Sequence, residues 1–219
     1  MRCFPIMLLF CAAPACAADQ DAQLWTVFSA SGSLHKQLVG SFDGVVRASH
    51  DQHGVASAEG TTMLGWRFSS HATLFAGFGL SRLHTSRGEA TLHRGRQQLT
   101  LALGKIGGTT VGARTMIEER RWLGLGGTAV RLREQVRVTH PLIGKHTGLF
   151  VTAEPIWNLN STVWGQRAGL NRLRSSAGLS FTIARRLRGE IGYLNDYDFR
   201  PRRADREIHA ALTSLVLTF

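Results

Sequence analysis

The chain has 219 residues and carries 26 Lys and Arg against 15 Asp and Glu, a formal net charge of +11. Its three cysteines, Cys3, Cys11 and Cys16, all fall within the first 16 residues, so beyond them no disulfide, Cys-based zinc site, redox pair or thiol nucleophile is available. The remaining length suffices for one domain with a full core or for a closed barrel.

The first segment, "MRCFPIMLLFCAAPACAADQ", places Arg2 before an apolar stretch from Ile6 to Ala13 and ends on small residues. That order is expected of a secretory signal peptide over residues 1–18, with a mature domain over 19–219. The stretch is too short for a membrane-spanning helix, which needs roughly 20 residues. Lys36, Lys105 and Lys145 are the only lysines, so arginine carries the positive charge. For an exported chain this charge is expected to meet polyanionic lipid headgroups or small anions rather than nucleic acid.

After the leader no apolar run approaches the roughly 18 residues of a transmembrane helix, and the recurring period is two. "QLWTVFSAS" reads as a first strand and "SASGS" as a turn. In "TLFAGFGLS", Leu74, Ala76, Phe78 and Leu80 oppose Gly77, Gly79 and Ser81; in "QQLTLALGK", Leu99, Leu101 and Leu103 oppose Gln98, Thr100 and Gly104. "TTVGARTMIEER" sets Val111, Ala113 and Ile117 against Arg114, Glu118 and Arg120. The alternation is clearest in "VRLREQVRV", where Val130, Leu132, Val136 and Val138 oppose Arg131, Arg133, Gln135 and Arg137, with Glu134 the misfit.

"GLFVTAEPIWNLN" follows with Leu149, Val151, Ala153, Pro155 and Trp157 against Thr152, Glu154, Asn158 and Asn160. "NRLRSSAGLSFTIA" has Leu173, Ala177, Leu179, Phe181 and Ile183 against Arg172, Arg174, Ser176 and Ser180; "LRGEIGYLNDYDF" has Ile191, Tyr193, Tyr197 and Phe199 against Glu190, Asp196 and Asp198. Side chains alternate across a strand, so each segment is a strand with one apolar and one polar face.

A soluble barrel hides the apolar face, whereas an outer-membrane barrel turns it to lipid. Arginines with intervening glutamates on strand after strand suit a narrow interior where opposite charges pair, and Trp66, Trp157, Tyr193, Tyr197 and Phe219 fall where headgroup girdles form. The expected fold is therefore all-β, an antiparallel transmembrane β-barrel in the bacterial outer membrane. Eleven segments are countable, but single-chain bacterial barrels normally have an even number. Twelve strands are expected, with ten as the alternative if "QLWTVFSAS" is a tail or plug. "SHDQHGV", "HTSRGEATLHRGR", "LGLGG", "NSTVWGQRAG" and "PRRADRE" are expected as loops at one end, and "RFSSHA", "KIGG", "LIGKHTG" and "ARR" as turns at the other.

"RTMIEERRW", "RLREQVRV", "AEPIWNLN" and "RLRSSAGLSFTIARRLRGEIGYLNDYDF" resemble the DUF2490 family of bacterial outer-membrane barrel proteins. Asn171-Arg172, Gly178-Leu179 and Glu190-Ile191-Gly192-Tyr193-Leu194-Asn195 carry the match. The likeness is close over about residues 110 to 219. It implies a place and a fold, without a biochemical activity or a cofactor.

The candidate site is the polar interior formed by Arg114, Glu118, Arg120, Arg131, Arg133, Arg137, Glu154, Asn158, Arg172, Arg174 and Glu190. With neighbouring strands in register, Glu118 and Glu154 flank the arginine strand and accept forked hydrogen bonds. Two readings stand: a small anion-preferring pore or binding barrel, or a structural barrel closed by an internal ion-pair network. A third, an outer-membrane phospholipase-like hydrolase, rests on His84 and Ser86 in "LHTSRG" with Gln98 as a polar third member. "GLGGTA" is a hairpin turn, not a nucleotide loop, and His50 and His53 form no expected metal site. Loop residues Arg200, Arg202, Arg203 and Arg206 are expected to face lipopolysaccharide phosphates. Leu215, Leu217 and Phe219 lie on the lipid side of a final strand and are expected to be read by the barrel-assembly machinery.

Overall fold

The computed structural model describes residues 18–85, 88–144, 146–201 and 203–219. The expected signal peptide lies almost wholly outside the described residues. Among those described, eleven strands close one barrel: β1 (Asp19–His35), β2 (Leu38–Ser49), β3 (Gly54–Arg67), β4 (Ala72–Thr85), β5 (Gly88–Ile106), β6 (Thr109–Trp122), β7 (Ala129–Ile143), β8 (Thr147–Asn158), β9 (Gly169–Ala184), β10 (Leu187–Asp198) and β11 (Arg206–Thr218).

Ten of the eleven junctions are antiparallel, and the eleventh, β1 on β11, is parallel, running from Asp19↔Arg206 to Ser31↔Thr218. This corrects the expectation of twelve or ten strands. An odd number of hairpin-connected strands leaves the first and last pointing the same way, and a parallel ladder still satisfies every backbone group at the seam. "QLWTVFSAS" is therefore neither tail nor plug but the middle of β1. "SASGS" is not a turn either; β1 continues to His35 and reverses at Lys36, which takes a positive φ of 45°.

The turns beyond β3, β5 and β9 are short, and the loops at the other end include 123–128 and 159–168. "HTSRGEATLHRGR" is mostly strand, since β5 begins at Gly88.

The period of two decides the sidedness. On β7, Arg131, Arg133, Gln135 and Arg137 line the interior, while Val136 and Val138 on the alternate face are 47% and 36% exposed. The outward face carries exposed large apolar side chains on strand after strand, among them Phe28, Phe42, Leu64, Phe78, Ile117, Val151, Leu173, Ile191 and Leu215. Glu134, the misfit, points outward and accepts a hydrogen bond from Thr115 Oγ1 at 2.7 Å.

Buried apolar residues form two groups inside the wall. Trp25, Phe150, Leu194, Ile208, Ala210 and Leu212 form one, joining β8 to β10, β11 and β1; Val39, Met63 and Phe75 form a second across β2, β3 and β4.

Candidate functional site

The interior holds a cavity of about 900 Å³, lined by twelve arginines and by five carboxylates. Every site residue expected from the sequence faces it or is buried beside it. Strand register brings them together: Glu118 on β6 lies opposite Arg131 on β7, which lies opposite Asn158 on β8, and Glu154 lies opposite Arg174 on β9.

The ion pairs form a continuous chain around the wall. Glu59 on β3 meets Arg47 at 3.7 Å, Arg94 at 3.3 Å and Arg96 in a closer contact. Glu118 takes Arg96 at 2.9 Å, Arg94 at 3.1 Å, Arg133 at 3.7 Å and Arg120 at 3.8 Å. Arg133 continues to Glu154 at 2.8 Å, which also receives Arg114 at 2.7 Å and Arg174 at 3.4 Å. Arg174 passes to Asp196 at 3.0 Å, which shares Arg172, and Arg172 reaches Asp198 at 3.3 Å. Residues of β2, β3, β5, β6, β7, β8, β9 and β10 are thereby linked.

Glu118 and Asp196 are fully buried and Glu154 is 1% exposed. A carboxylate at that depth is sustained only by several cationic partners. The forked bonding expected of Arg133 is present on one side, where its Nε and Nη2 both donate to Glu154 Oε1, at 3.2 and 2.9 Å. On the Glu118 side only a 3.7 Å contact remains.

Two contacts bridge more distant walls. Arg137 on β7 pairs with Glu190 on β10 at 2.5 Å while its guanidinium lies 4.4 Å over the Phe150 ring. Trp25 on β1 lies beneath Arg47 of β2 at 4.4 Å and Arg174 of β9 at 4.8 Å, so its ring face draws two cations onto the apolar group.

The end of the lumen with the long loops is bonded through amides. Arg131 donates to Asn158 Oδ1 and Asn171 Oδ1, both at 2.9 Å, and Arg120 donates to Gln166 Oε1 at 2.5 Å. Gln166 belongs to the 159–168 loop, is buried, and returns hydrogen bonds to Asn160. Trp164 of this loop packs edge-on against Trp122 at 6.2 Å. Between β10 and β11, the Arg200 N–H and the hydroxyl of Tyr197, on β10, donate to Asp205 and hold its carboxyl below the usual range.

Several members of the network were not singled out from the sequence. Arg94 and Arg96 continue the inward parity of Gln98 and Thr100, a signal that assigning "LHRGR" to a loop concealed. Glu59 and Arg47 lie on strands too rich in glycine and small residues to show a clear polar face. Arg206, expected at the lipid surface, instead turns inward and pairs with Asp21 at 2.8 Å. Arg200 pairs with Asp19 and Asp198, and Arg202 lies outside the described residues.

Among the described residues, His84 and Gln98 of the hydrolase reading are not brought together. His84 pairs with Glu89 at 3.1 Å, both more than half exposed. Ser86 lies outside the described residues. Gln98 stands nine residues along β5 from Glu89, roughly 30 Å at strand rise. His50 and His53 touch edge-on in a turn, and among the described residues no group of three or more His, Cys, Asp or Glu could hold a metal.

A family model described as a protein of unknown function, DUF2490, matches residues 22–207. An uncharacterized protein of Methylorubrum extorquens is 30% identical over 187 residues, covering 80% of this chain and 78% of that protein. No solved structure matches.

Proposed function

The chain belongs to the DUF2490 family, and from that premise we propose that it is a bacterial outer-membrane barrel whose lumen is closed to through-flow by its own ion pairs. The observation that carries this reading is inverted sidedness: charges buried inside, large apolar side chains exposed outside. Monomeric soluble proteins rarely expose apolar patches beyond a few hundred Å², and a closed barrel leaves no unpaired strand edge for lipid to meet.

The lumen reading follows from the filling. The chain from Arg47 to Asp198, the Arg137–Glu190 bridge and the Phe150–Trp25 group project into the cross-section that a diffusion pore leaves to water. No helix of the described residues is long and apolar enough to cross a membrane, and the strands supply the span. Outer-membrane lipid and lipopolysaccharide are its proposed surroundings, and Leu215, Leu217 and Phe219 on the outer face are proposed contacts of the barrel-assembly machinery. A second reading, an anion-preferring pore, is favoured by the excess of arginines over carboxylates in the lining.

Membrane fractionation with heat-dependent gel migration tests the location. Recovery in the outer-membrane fraction, with a faster-migrating species before boiling, is expected. Recovery in the soluble periplasmic fraction overturns it.

A further inference from the structure

The positive excess inside the barrel is not spread evenly. Four arginines, Arg94, Arg96, Arg120 and Arg133, converge on the single carboxylate of Glu118 at 2.9 to 3.8 Å. Arg94 and Arg96 share Glu59 as their other acid, and Arg120 has no second acid within 4 Å among the described residues. Arg131, directly opposite Glu118 in the strand register, has no carboxylate partner among the described residues. Its Nε and Nη2 are spent on two asparagine oxygens, and the residue lines the cavity.

Buried donors without acceptors occur at the same end. Among the described residues the Nε of Arg94, of Arg120 and of Arg172 and the Nε1 of Trp164 are buried and make no hydrogen bond. The same holds for the Nε of Arg114 and Arg174 further along the lumen and for the acceptors Glu59 Oε2 and Glu118 Oε1, and Arg120 is only 8% exposed. Its guanidinium lies 5.8 Å from the Trp164 ring. Buried cations demand compensation, and one closed by amides rather than acids keeps its charge for something else.

We propose that the loop end of the lumen, between Arg94, Arg120 and Arg131 and beneath the 159–168 loop, binds a multiply charged oxyanion of the phosphate class. Around Glu118 and Glu59 the cations exceed the acids by more than one charge, so a single chloride or monocarboxylate leaves the site positive. A phosphate or diphosphate group supplies both the charge and several acceptor oxygens, and guanidinium forks fit such oxygens in pairs. Arg131 is the selective element, because its charge is not already spent within the ion-pair chain. The binding site goes beyond the closed-barrel reading and does not depend on where the protein resides.

Calorimetric titration of the full chain in detergent, with inorganic pyrophosphate at fixed ionic strength, tests the site; a parallel arm uses bicelles containing a phosphorylated lipid A headgroup. Saturable binding in either arm, weakened about tenfold or more in Arg131→Gln and in Arg120→Gln but unchanged in the outward-facing Arg121→Gln, is the expected result, and the responding arm names the source of the phosphate. Each variant is first checked for heat-dependent gel migration, and either Arg131→Gln or Arg120→Gln suffices if the other fails to fold. Absence of binding in both arms, equal competition by chloride, or binding that the folded lumen variant leaves intact overturns the proposal.

Discussion

Arg96 on β5 reaches over β4 to the carboxylate of Glu59 on β3, donating to Thr61 Oγ1 at 2.8 Å on the way. Small inward side chains on the strand between them leave such a contact room. Beside it the inward positions of β4 are Gly77, Gly79 and Ser81. A Cβ at Gly79 would fall against Thr61 Oγ1 and 2.9 Å from the Gly60 carbonyl oxygen, an atom fixed in the β3 ladder.

Gly79→Ala should therefore destabilise the barrel by about 1–3 kcal/mol, the usual range for forcing atoms into a packed interior. Urea unfolding followed by far-ultraviolet circular dichroism measures it, and an unchanged midpoint would show that the β3–β5 contact does not need the space.

Removing an acid that serves four cations should cost more. Glu118→Gln leaves Arg94, Arg96, Arg120 and Arg133 with one carboxylate fewer in a buried cluster, and about 3–5 kcal/mol is the cost of breaking a buried pair from one side. Glu89→Gln, which removes only an exposed contact to His84, should leave the unfolding curve where it was. Equal curves for the two variants would mean that the chain around Glu118 carries no stability.

The parallel seam offers a direct chemical check. Thr26 on β1 and Thr213 on β11 are register partners, with their hydroxyl oxygens 3.3 Å apart. With Cys3, Cys11 and Cys16 changed to Ala, the pair Thr26→Cys and Thr213→Cys should oxidise to one intramolecular disulfide, seen as a gel shift reversed by reductant. Thr26→Cys with Ala211→Cys, displaced by two residues, should oxidise poorly. The opposite preference would place β1 elsewhere.

The seam also marks the limit of what the residues announce by themselves. Period two assigns a face, so the inward positions of Arg131, Arg133, Arg137, Glu154, Arg172 and Arg174 are readable one strand at a time. It says nothing of which strand pairs with which, or in which direction. That is why eleven readable segments implied a missing or surplus strand rather than a parallel closure. Phe150 and Leu194 were obscured differently: they occupy the polar parity of β8 and β10, and only the closed barrel shows them meeting Trp25 and Ile208 inside. Arg94 and Arg96 were within reach of the same parity rule, had the strand after Gly88 been carried through its charged stretch.

The central claim is that a charged lumen is closed by its own side chains, and conductance of the purified protein in planar lipid bilayers tests it most directly. The wild type should insert without steady ionic current, while the double variant Arg137→Ala, Phe150→Ala, which removes the cross-lumen bridge and the apolar filling beneath it, should open measurable anion-selective steps. Steady, stepwise conductance in the wild type, unaltered by those substitutions, would contradict the account.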